Sequence, residues 1–343
     1  MVNSGPEAED PESGRAIGLT TLTGWRAFVA WDETAPDLLS ADMCAGLDEA
    51  EDTAYEQARI EHHAQLRIVV TPVIRKVVTE GRRLTYLNRH AVSGRCGLIL
   101  SGPARTGKTT ALTQMARTLE ILHRQRHPQQ HADIPAVYIT APPAATPRMI
   151  ATEFARFLGL PTIRRANITD LIEAVCGVCI DARTLVVGVD EIHNIALHTT
   201  NGAGASDMLK YFSERIPATF VYAGIDIERA GLLAGPRGEQ IAGRFAVIRT
   251  GPFPRTEEWT RLVAALDQAL RLHAHAPGAL VKLAPYLHQR TGGMIGSLLR
   301  LVRCAAIQAV LDGSERITRK ALDGIELDIA AQQGATSTTK AAA

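Results

Sequence analysis

The feature that most constrains the fold is a short apolar run that leads directly into a glycine-rich turn and then a helix-forming stretch. The run GLILS at 97–101 is followed by GPARTGKT at 102–109 and then by ALTQMARTL. In such a turn, glycines let backbone amides approach phosphates, and the helix N-terminus favours negative charge. A chance match would not place Lys108 and Thr109 in register between a strand and a helix. We therefore expect a nucleoside triphosphate to bind at this turn.

Four further apolar runs predict the rest of a sheet. They alternate with amphipathic stretches, which is the pattern of parallel strands joined by crossover helices. The sequence therefore predicts an α/β fold, a five-stranded parallel P-loop sheet flanked by helices. The predicted strands are 97–101, 136–140, 184–190, 219–224 and 245–250.

The remainder of the chain is predicted to be helical or irregular. Residues 1–20 are rich in Glu, Ser, Gly and Pro, a composition that favours disorder. Apolar periodicity and the Pro72 start signal predict two helices before the sheet and four after it. These helices are expected at 46–68, 71–88, 255–272, 277–290, 294–312 and 316–331. The predicted organisation is an acidic, largely disordered N-terminal segment (1–45), an N-terminal helical segment (46–95), the nucleotide-binding domain (96–252), an α-helical lid (253–331) and a loose tail (332–343).

Composition bears on the compartment and on the partner. No apolar run approaches the roughly 20 residues that cross a bilayer, and the N-terminus is acidic, unlike a signal peptide. We therefore expect a cytoplasmic protein with no membrane partner. The five cysteines form an odd, sparse set, which favours reduced thiols.

Residues 1–57 contain 13 Asp and Glu but two Arg, so the rest of a chain with net charge +1 is basic. A basic body suits a polyanion, although surface charge also simply solvates a protein.

Two adjacent acids follow the third predicted strand. Asp190 and Glu191 stand where an apolar strand emerges at the phosphate edge of the sheet, an arrangement typical of a Walker B motif. Asp190, with the Thr109 hydroxyl, would hold Mg²⁺, and Glu191 would orient and deprotonate the attacking water. Lys108 would supply charge to the β- and γ-phosphates. We therefore predict ATP and Mg²⁺ as ligands. The predicted ATP-binding residues are Gly102, Pro103, Ala104, Arg105, Thr106, Gly107, Lys108, Thr109 and Thr110.

Several polar residues have two interpretations. His193 and Asn194, just after the acids, would sense the γ-phosphate or act as surface hydrogen bonders. Cys176 and Cys179 have metal-ligand spacing, but no second pair completes the site, which favours core packing.

A histidine series raises the same question. The histidines at 123, 127 and 131 have i,i+4 spacing, but Pro128 breaks the helix that would align them. No acidic ligand is expected alongside them. We therefore predict no metal site beyond Mg²⁺.

The arrangement of a Walker A turn on the first strand, Walker B acids on the third and a helical lid resembles the AAA+ superfamily. Within it, the strings VVGVDEIHNI, QIAGRF and TGGMIGSLLRLVRCAAIQAV resemble TniB/TnsC-type transposition ATPases, relatives of MuB and IstB, over roughly residues 58–320. The resemblance implies an ATPase that assembles on duplex DNA as an ATP-dependent homo-oligomer, a ring or filament. Such an ATPase recruits a transposase and disassembles on hydrolysis.

The resemblance also assigns roles to individual arginines. Arg244, in Gly-Arg-Phe, takes the position of the arginine finger that reaches the nucleotide of the next subunit; the alternative is an arginine that pairs at a strand start. Arg148, Arg164 and Arg165, after the second strand, would face DNA, or would be ordinary solvated charges.

The chain departs from the family pattern in two places. Gly224 is followed by Ile225, where the family has a polar sensor. Gly296 and Ser297 lie near the place of a second sensor arginine, so Arg300 is the candidate substitute. Both departures indicate slow hydrolysis used as a switch. Two alternatives stay open: a STAND-type signalling switch that does not bind DNA, and a helicase-loading adaptor.

Overall fold

The computed structural model describes residues 18–32, 34–65, 69–161, 167–195, 199–228 and 243–327. The N-terminal part and the sheet domain contain helices α1 (Leu22–Ala30), α2 (Ala41–Ala45), α3 (Glu49–Ala64), α4 (Pro72–Arg89), α5 (Lys108–Arg126), α6 (Pro147–Phe157), α7 (Ile168–Asp181) and α8 (Thr200–Arg215). The strands are β1 (Gly97–Ser101), β2 (Ala136–Thr140), β3 (Val186–Asp190), β4 (Thr219–Gly224) and β5 (Phe245–Arg249). The C-terminal helices are α9 (Glu257–Ala269), α10 (Ala279–Lys282), α11 (Ala284–Thr291), α12 (Ile295–Leu311) and α13 (Arg319–Asp323).

The five strands form one parallel sheet in the order β2-β3-β4-β1-β5, which confirms the predicted α/β fold. Strands β1, β3 and β4 are buried along their whole length, as expected for the centre of a sheet covered on both faces. Carboxyl ends of parallel strands share one edge. The turn after Ser101 and the acids after Val189 therefore lie at that same edge.

Helix α4 is fixed closely against α5. It buries one stripe, formed by Ile74, Val77, Gly81, Leu84 and Asn88, at the spacing of an amphipathic helix. A Cβ at Gly81 would lie 2.2 Å from Sδ of Met115, so a larger residue there would displace the Met115 side chain. At the far end, the Asn88 side chain donates to the Cys96 carbonyl (2.7 Å) and accepts from the Cys96 amide (2.9 Å). Both ends of α4 are thus tied to the sheet domain.

The prediction of a largely disordered segment through residue 45 is wrong for the part that the structure describes. Helix α1 is capped by Thr21 and buries Trp25 completely in the core of the sheet domain. The indole N–H of Trp25 donates to Glu120 of α5 (2.7 Å), and its ring stacks on Tyr138 of β2 at 6.0 Å. Trp25 thus anchors α1, and Leu22, Phe28 and Val29 pack against the same core beside it.

The predicted N-terminal helical segment does not act as one unit. Helix α4 belongs to the sheet domain, whereas α3 lies on the C-terminal helices. Arg59 Nη1 of α3 donates to both carboxylate oxygens of Glu315 (2.7 and 2.8 Å), and the ring of His62 hydrogen-bonds the Ala269 carbonyl (3.0 Å). The chain therefore crosses from the lid to the sheet domain between α3 and α4.

The C-terminal helices pack around their own apolar core, centred on Trp259, Leu298 and Leu301. The single helix predicted at 277–290 is wrong: it is divided into α10 and α11, because Pro285 in the first turn of α11 donates no backbone N–H. The last predicted helix is shorter, since α13 ends at Asp323 and is capped by Gly324. Among the described residues, no single helix is long and apolar enough to cross a membrane; α11 and α12 meet that test only jointly, across a 118° bend.

Candidate nucleotide site

The turn after β1 has the backbone geometry of a phosphate cradle. Gly102 has φ +151°, and a Cβ there would lie 2.1 Å from the carbonyl oxygen of Thr250. Gly107, in the left-handed region at φ +86°, begins α5 without a side-chain cap. The first amides of α5 therefore have no side-chain acceptor, which leaves the positive end of the helix facing the turn. These features fit a triphosphate.

Lys108 is held inside this turn. Its ammonium donates to the carbonyls of Gly102 (2.9 Å) and Pro103 (2.6 Å). Burial lowers the pKa of Lys108, and the charges of Asp190, Glu191 and Asp226 oppose that shift. A desolvated cation bonded to neutral carbonyls gains strongly from an incoming anion, so the residue fits a phosphate-binding role.

Asp190 is the most heavily bonded side chain at this edge. Its Oδ2 accepts from the Thr109 hydroxyl (2.6 Å) and from the Tyr138 hydroxyl (3.0 Å), and its Oδ1 accepts from the Glu191 amide (2.8 Å). The structure thus brings together the two predicted Mg²⁺ ligands. Burial, followed by the nearby Asp190 charge, raises the pKa of Tyr138, which keeps that hydroxyl a donor. Tyr138 was not predicted from the sequence.

Glu191 and His193 form a pair beside the acid. Glu191 has a left-handed backbone at φ 53°, and its side chain is 44% exposed. His193 Nε2 lies 3.3 Å from a Glu191 carboxylate oxygen, while its Nδ1 accepts from the Ile225 amide (3.2 Å). That acceptor role places the proton of a neutral ring on Nε2, facing Glu191. The family pattern has a polar sensor side chain at the position of Ile225. In this chain, the backbone amide of Ile225 donates to His193 instead.

Gly224 makes room for this histidine. A Cβ at Gly224 would lie 3.3 Å from His193 Nδ1 and 3.2 Å from its amide. The other predicted sensor, Asn194, instead bonds the Ala141 carbonyl through its side-chain amide (3.0 Å). Its side chain thus ties the end of β3 to the segment after β2 and does not line the nucleotide cavity.

The lid contacts the phosphate turn directly. The Gly296 amide, at the start of α12, donates to the Arg105 carbonyl (3.1 Å), and a Cβ at Gly296 would lie 3.0 Å from Cβ of Arg105. Arg300, one turn later, lines the same cavity as the phosphate turn. The two predicted lid features are therefore brought to the site.

A cavity of about 430 Å³ joins these parts. At one end it is lined by residues 104–110 and Glu191, and at the other by mainly apolar side chains. Such a polar and apolar pairing suits a nucleotide, because the base has an apolar face and the phosphates do not. The apolar end of the cavity was not predicted from the sequence. The helix start predicted at Thr71-Pro72 lies within this end. Its residues are Val69, Thr71, Val73, Ile74, Phe253 and Leu299.

Two of the predicted arginines, Arg244 and Arg148, do not line this cavity. Arg244 precedes β5, at the opposite edge of the sheet, where its guanidinium lies 3.7 Å from Glu214. Arg148 is exposed in the first turn of α6. Arg165 and its neighbour Arg164 lie outside the described residues.

The cysteine pair is core, as predicted. Cys176 and Cys179 are fully buried in α7, and burial raises the pKa of Cys176 to about 11 and that of Cys179 to about 12. Both sulfurs therefore stay protonated thiols. The expectation of no acid beside the histidine series is wrong, because His123 Nε2 bonds Asp133 at 2.6 Å.

Comparison with known proteins agrees with this geometry. Residues 91–233 match the family model described as AAA domain. No curated protein matches the chain. Among solved structures, the chain is similar to the Aeropyrum pernix ORC1 protein in complex with DNA, with 15% identity over 75% of this chain and 65% of that chain and a TM-score of 0.57. It thus spans about two thirds of that protein.

Two further structures share the fold. The ADP form of the Aeropyrum pernix ORC2 protein has 17% identity, covering 77% of this chain and 72% of that chain, with a TM-score of 0.58. Cdc6p from Pyrobaculum aerophilum has 16% identity, covering 76% and 69%, with a TM-score of 0.54. Identities this low show the fold alone. The family match and the phosphate turn together show an AAA-type nucleotide-binding domain in residues 91–233.

Proposed function

We propose that this chain is a DNA-binding AAA+ regulator that self-assembles on duplex DNA with ATP bound, recruits or activates a transposase, and disassembles on hydrolysis. The observation that carries self-assembly is the position of Arg244. Strand β5 pairs with β1 so that Phe245 faces Gly97 and Arg249 faces Ser101. Arg244 therefore lies about 20 Å along the strand direction from the start of its own phosphate turn, and its side chain is 43% exposed.

An arginine so placed acts only on another subunit. In trans, a guanidinium stabilises the charge on the transferring phosphoryl group and makes hydrolysis depend on assembly. The Glu214 carboxylate, 3.7 Å away and half exposed, holds Arg244 loosely. The finger is therefore free to leave Glu214 when a neighbouring nucleotide offers more negative charge.

The residues at the other edge divide the chemistry. Thr109 and Asp190 would hold Mg²⁺, which when bound neutralises charge on the phosphate oxygens. Lys108 binds the β- and γ-phosphates, and Glu191 orients and deprotonates the attacking water, with His193 Nε2–H fixing its carboxylate. Arg300 faces the nucleotide from the lid.

The same contacts favour a switch over a fast motor. The lid reaches the phosphate turn through the bond between Gly296 and Arg105, so the nucleotide state bears directly on the lid position. Such coupling lets one slow hydrolysis event change the assembly.

The proposals of DNA and a transposase as partners are supported by other observations. The basic body suits a polyanion, and one structure of similar fold is a protein in complex with DNA. The transposase rests on the resemblance of Asp190-Glu191-Ile192-His193-Asn194 and its surroundings to TniB/TnsC proteins. Arg148, Arg164 and Arg165 stay candidate DNA contacts.

The test measures ATP hydrolysis with and without linear duplex, together with ATP-dependent assembly by light scattering. We expect duplex to stimulate hydrolysis, and Glu191→Gln to bind ATP but remain assembled. Lys108→Ala, which lacks the phosphate cation, is the inactive control. Mixing Arg244→Ala with Lys108→Ala subunits should partly restore hydrolysis, because finger and pocket lie on different chains. A monomer at every salt concentration with ATP and duplex would refute the proposal.

Capture experiments separate the alternatives. With ATP bound, the preferred function requires retention of a transposase. Retention of a replicative helicase instead would favour the loading adaptor, and assembly that ignores duplex would favour the STAND-type switch.

A further inference from the structure

The outward face of α4 carries a regular series of cations. Its exposed cations occur in steps of seven residues: Arg75 and Lys76, then Arg82 and Arg83, then Arg89. Seven residues are close to two helical turns, so these groups share one face and are spaced about 10.5 Å apart. We call this series the α4 ladder.

Little negative charge offsets the α4 ladder. The single acid of α4 is Glu80, which pairs with Arg83. Within the described ranges, no carboxylate lies within ion-pair distance of Lys76, Arg82 or Arg89. Neighbouring cations repel each other when no anion separates them. A bound polyanion would relieve this repulsion, so the ladder attracts polyanions.

The end of α5 adds to this face. The Arg126 guanidinium lies over the Tyr86 ring, 6.0 Å from its centroid. The Arg126 guanidinium, and to a smaller extent that of Arg82, lowers the pKa of Tyr86. Arg126 thus places a further cation beside the second and third steps of the ladder.

The helix beneath is rigid. Gly81 lets α4 lie against Met115, and Asn88 ties its end to Cys96. Cations on a fixed scaffold lose little freedom when they bind, which favours binding to an equally regular partner. Each strand of B-form DNA carries one phosphate per about 3.4 Å of helix axis, so a face with several fixed cations can contact several phosphates at once.

From these observations we propose that the α4 ladder is a docking surface for the phosphate backbone of duplex DNA. The inference deepens the proposed function by assigning DNA contact to this face of the sheet domain. It predicts binding without sequence preference, because the cations of the ladder would contact phosphates and would make few contacts to base edges.

The test removes one cation from each step, as Lys76→Gln, Arg82→Gln and Arg89→Gln together. The matched control removes three exposed lid cations, as Lys282→Gln, Arg316→Gln and Lys320→Gln. Binding of a fluorescent random-sequence duplex is followed by anisotropy over a range of salt. Basal hydrolysis without DNA should be unchanged in both, since none of the six residues lines the nucleotide cavity.

We expect the ladder variant to lose about 3 from the slope of log affinity against log salt, and to bind roughly 100-fold more weakly at 0.1 M salt. The lid variant should match the wild type. If the wild type binds duplex and the ladder variant has the same slope, the ladder assignment is wrong while the proposed function stands. If the wild type binds no duplex in any nucleotide state, both are wrong. Equal competition by polyglutamate of matched charge would overturn the assignment to duplex.

Discussion

Replacing Gly102 with alanine tests whether the phosphate turn is packed as tightly as the structure indicates. The added Cβ would lie 2.1 Å from the Thr250 carbonyl oxygen and 2.6 Å from its hydroxyl oxygen. The carbonyl cannot move alone, because the Thr250 amide donates to Ser101 (2.8 Å) and its hydroxyl bonds Thr106 (2.6 Å). Relief of the clash therefore requires the turn to separate from the end of β5.

The expected cost has two parts. A side chain at φ +151° costs about 1–3 kcal/mol, and overpacking a fixed site costs about 1–3 kcal/mol. We therefore expect Gly102→Ala to lower the free energy of unfolding by about 3 kcal/mol and to weaken MgATP binding.

The control is Gly177→Ala, in the middle of α7, where an added Cβ meets nothing within 4 Å. Alanine in a helix interior should stabilise the protein by about 0.5–1 kcal/mol. Urea unfolding of both variants measures the difference. If Gly102→Ala unfolds within about 0.5 kcal/mol of the wild type and binds ATP normally, the argument from close packing of the turn is wrong.

Two further substitutions test the shell around the acids. Tyr138→Phe removes a donor to Asp190 and should weaken Mg²⁺-dependent ATP binding on the order of tenfold by calorimetry. The control is Tyr222→Phe, at a buried strand tyrosine that does not bond Asp190, and it should leave ATP binding unchanged. Equal effects of the two substitutions would dismiss a specific role for Tyr138. His193→Ala should lower kcat about fivefold, equivalent to about 1 kcal/mol, with ATP affinity unchanged because His193 does not line the cavity. An unaltered kcat would show that His193 does not position Glu191.

The phosphate turn and the paired acids were predictable because each is local. Residues 102–109 contain every group of the turn, and an apolar strand ending in Asp190 already indicates which edge it occupies. Parallel strands then bring the two together without further information. The proximity of Thr109 to Asp190 could therefore be predicted before any coordinates.

The contacts around this site were not predictable, because they join residues that are distant in the sequence. The bond from Tyr138 to Asp190 depends on β2 being the neighbour of β3, with Thr140 opposite Asp190. The docking of α1 depends on Trp25 finding Glu120, 95 residues away, in a stretch with weak periodicity. Long-range partners leave no regular spacing in the sequence.

The division between α3 and α4 links the nucleotide to both proposed surfaces. Helix α3 is bonded to the lid through Arg59 and Glu315, whereas α4 is bonded to the sheet domain. The first turn of α4 also forms the apolar wall of the cavity, through Val73 and Ile74. A rigid helix anchored at its far end cannot yield to the nucleotide, so lid and α3 must do so. We therefore expect ATP to reposition the lid against a stationary α4 ladder, which would let DNA stay bound while subunit contacts change.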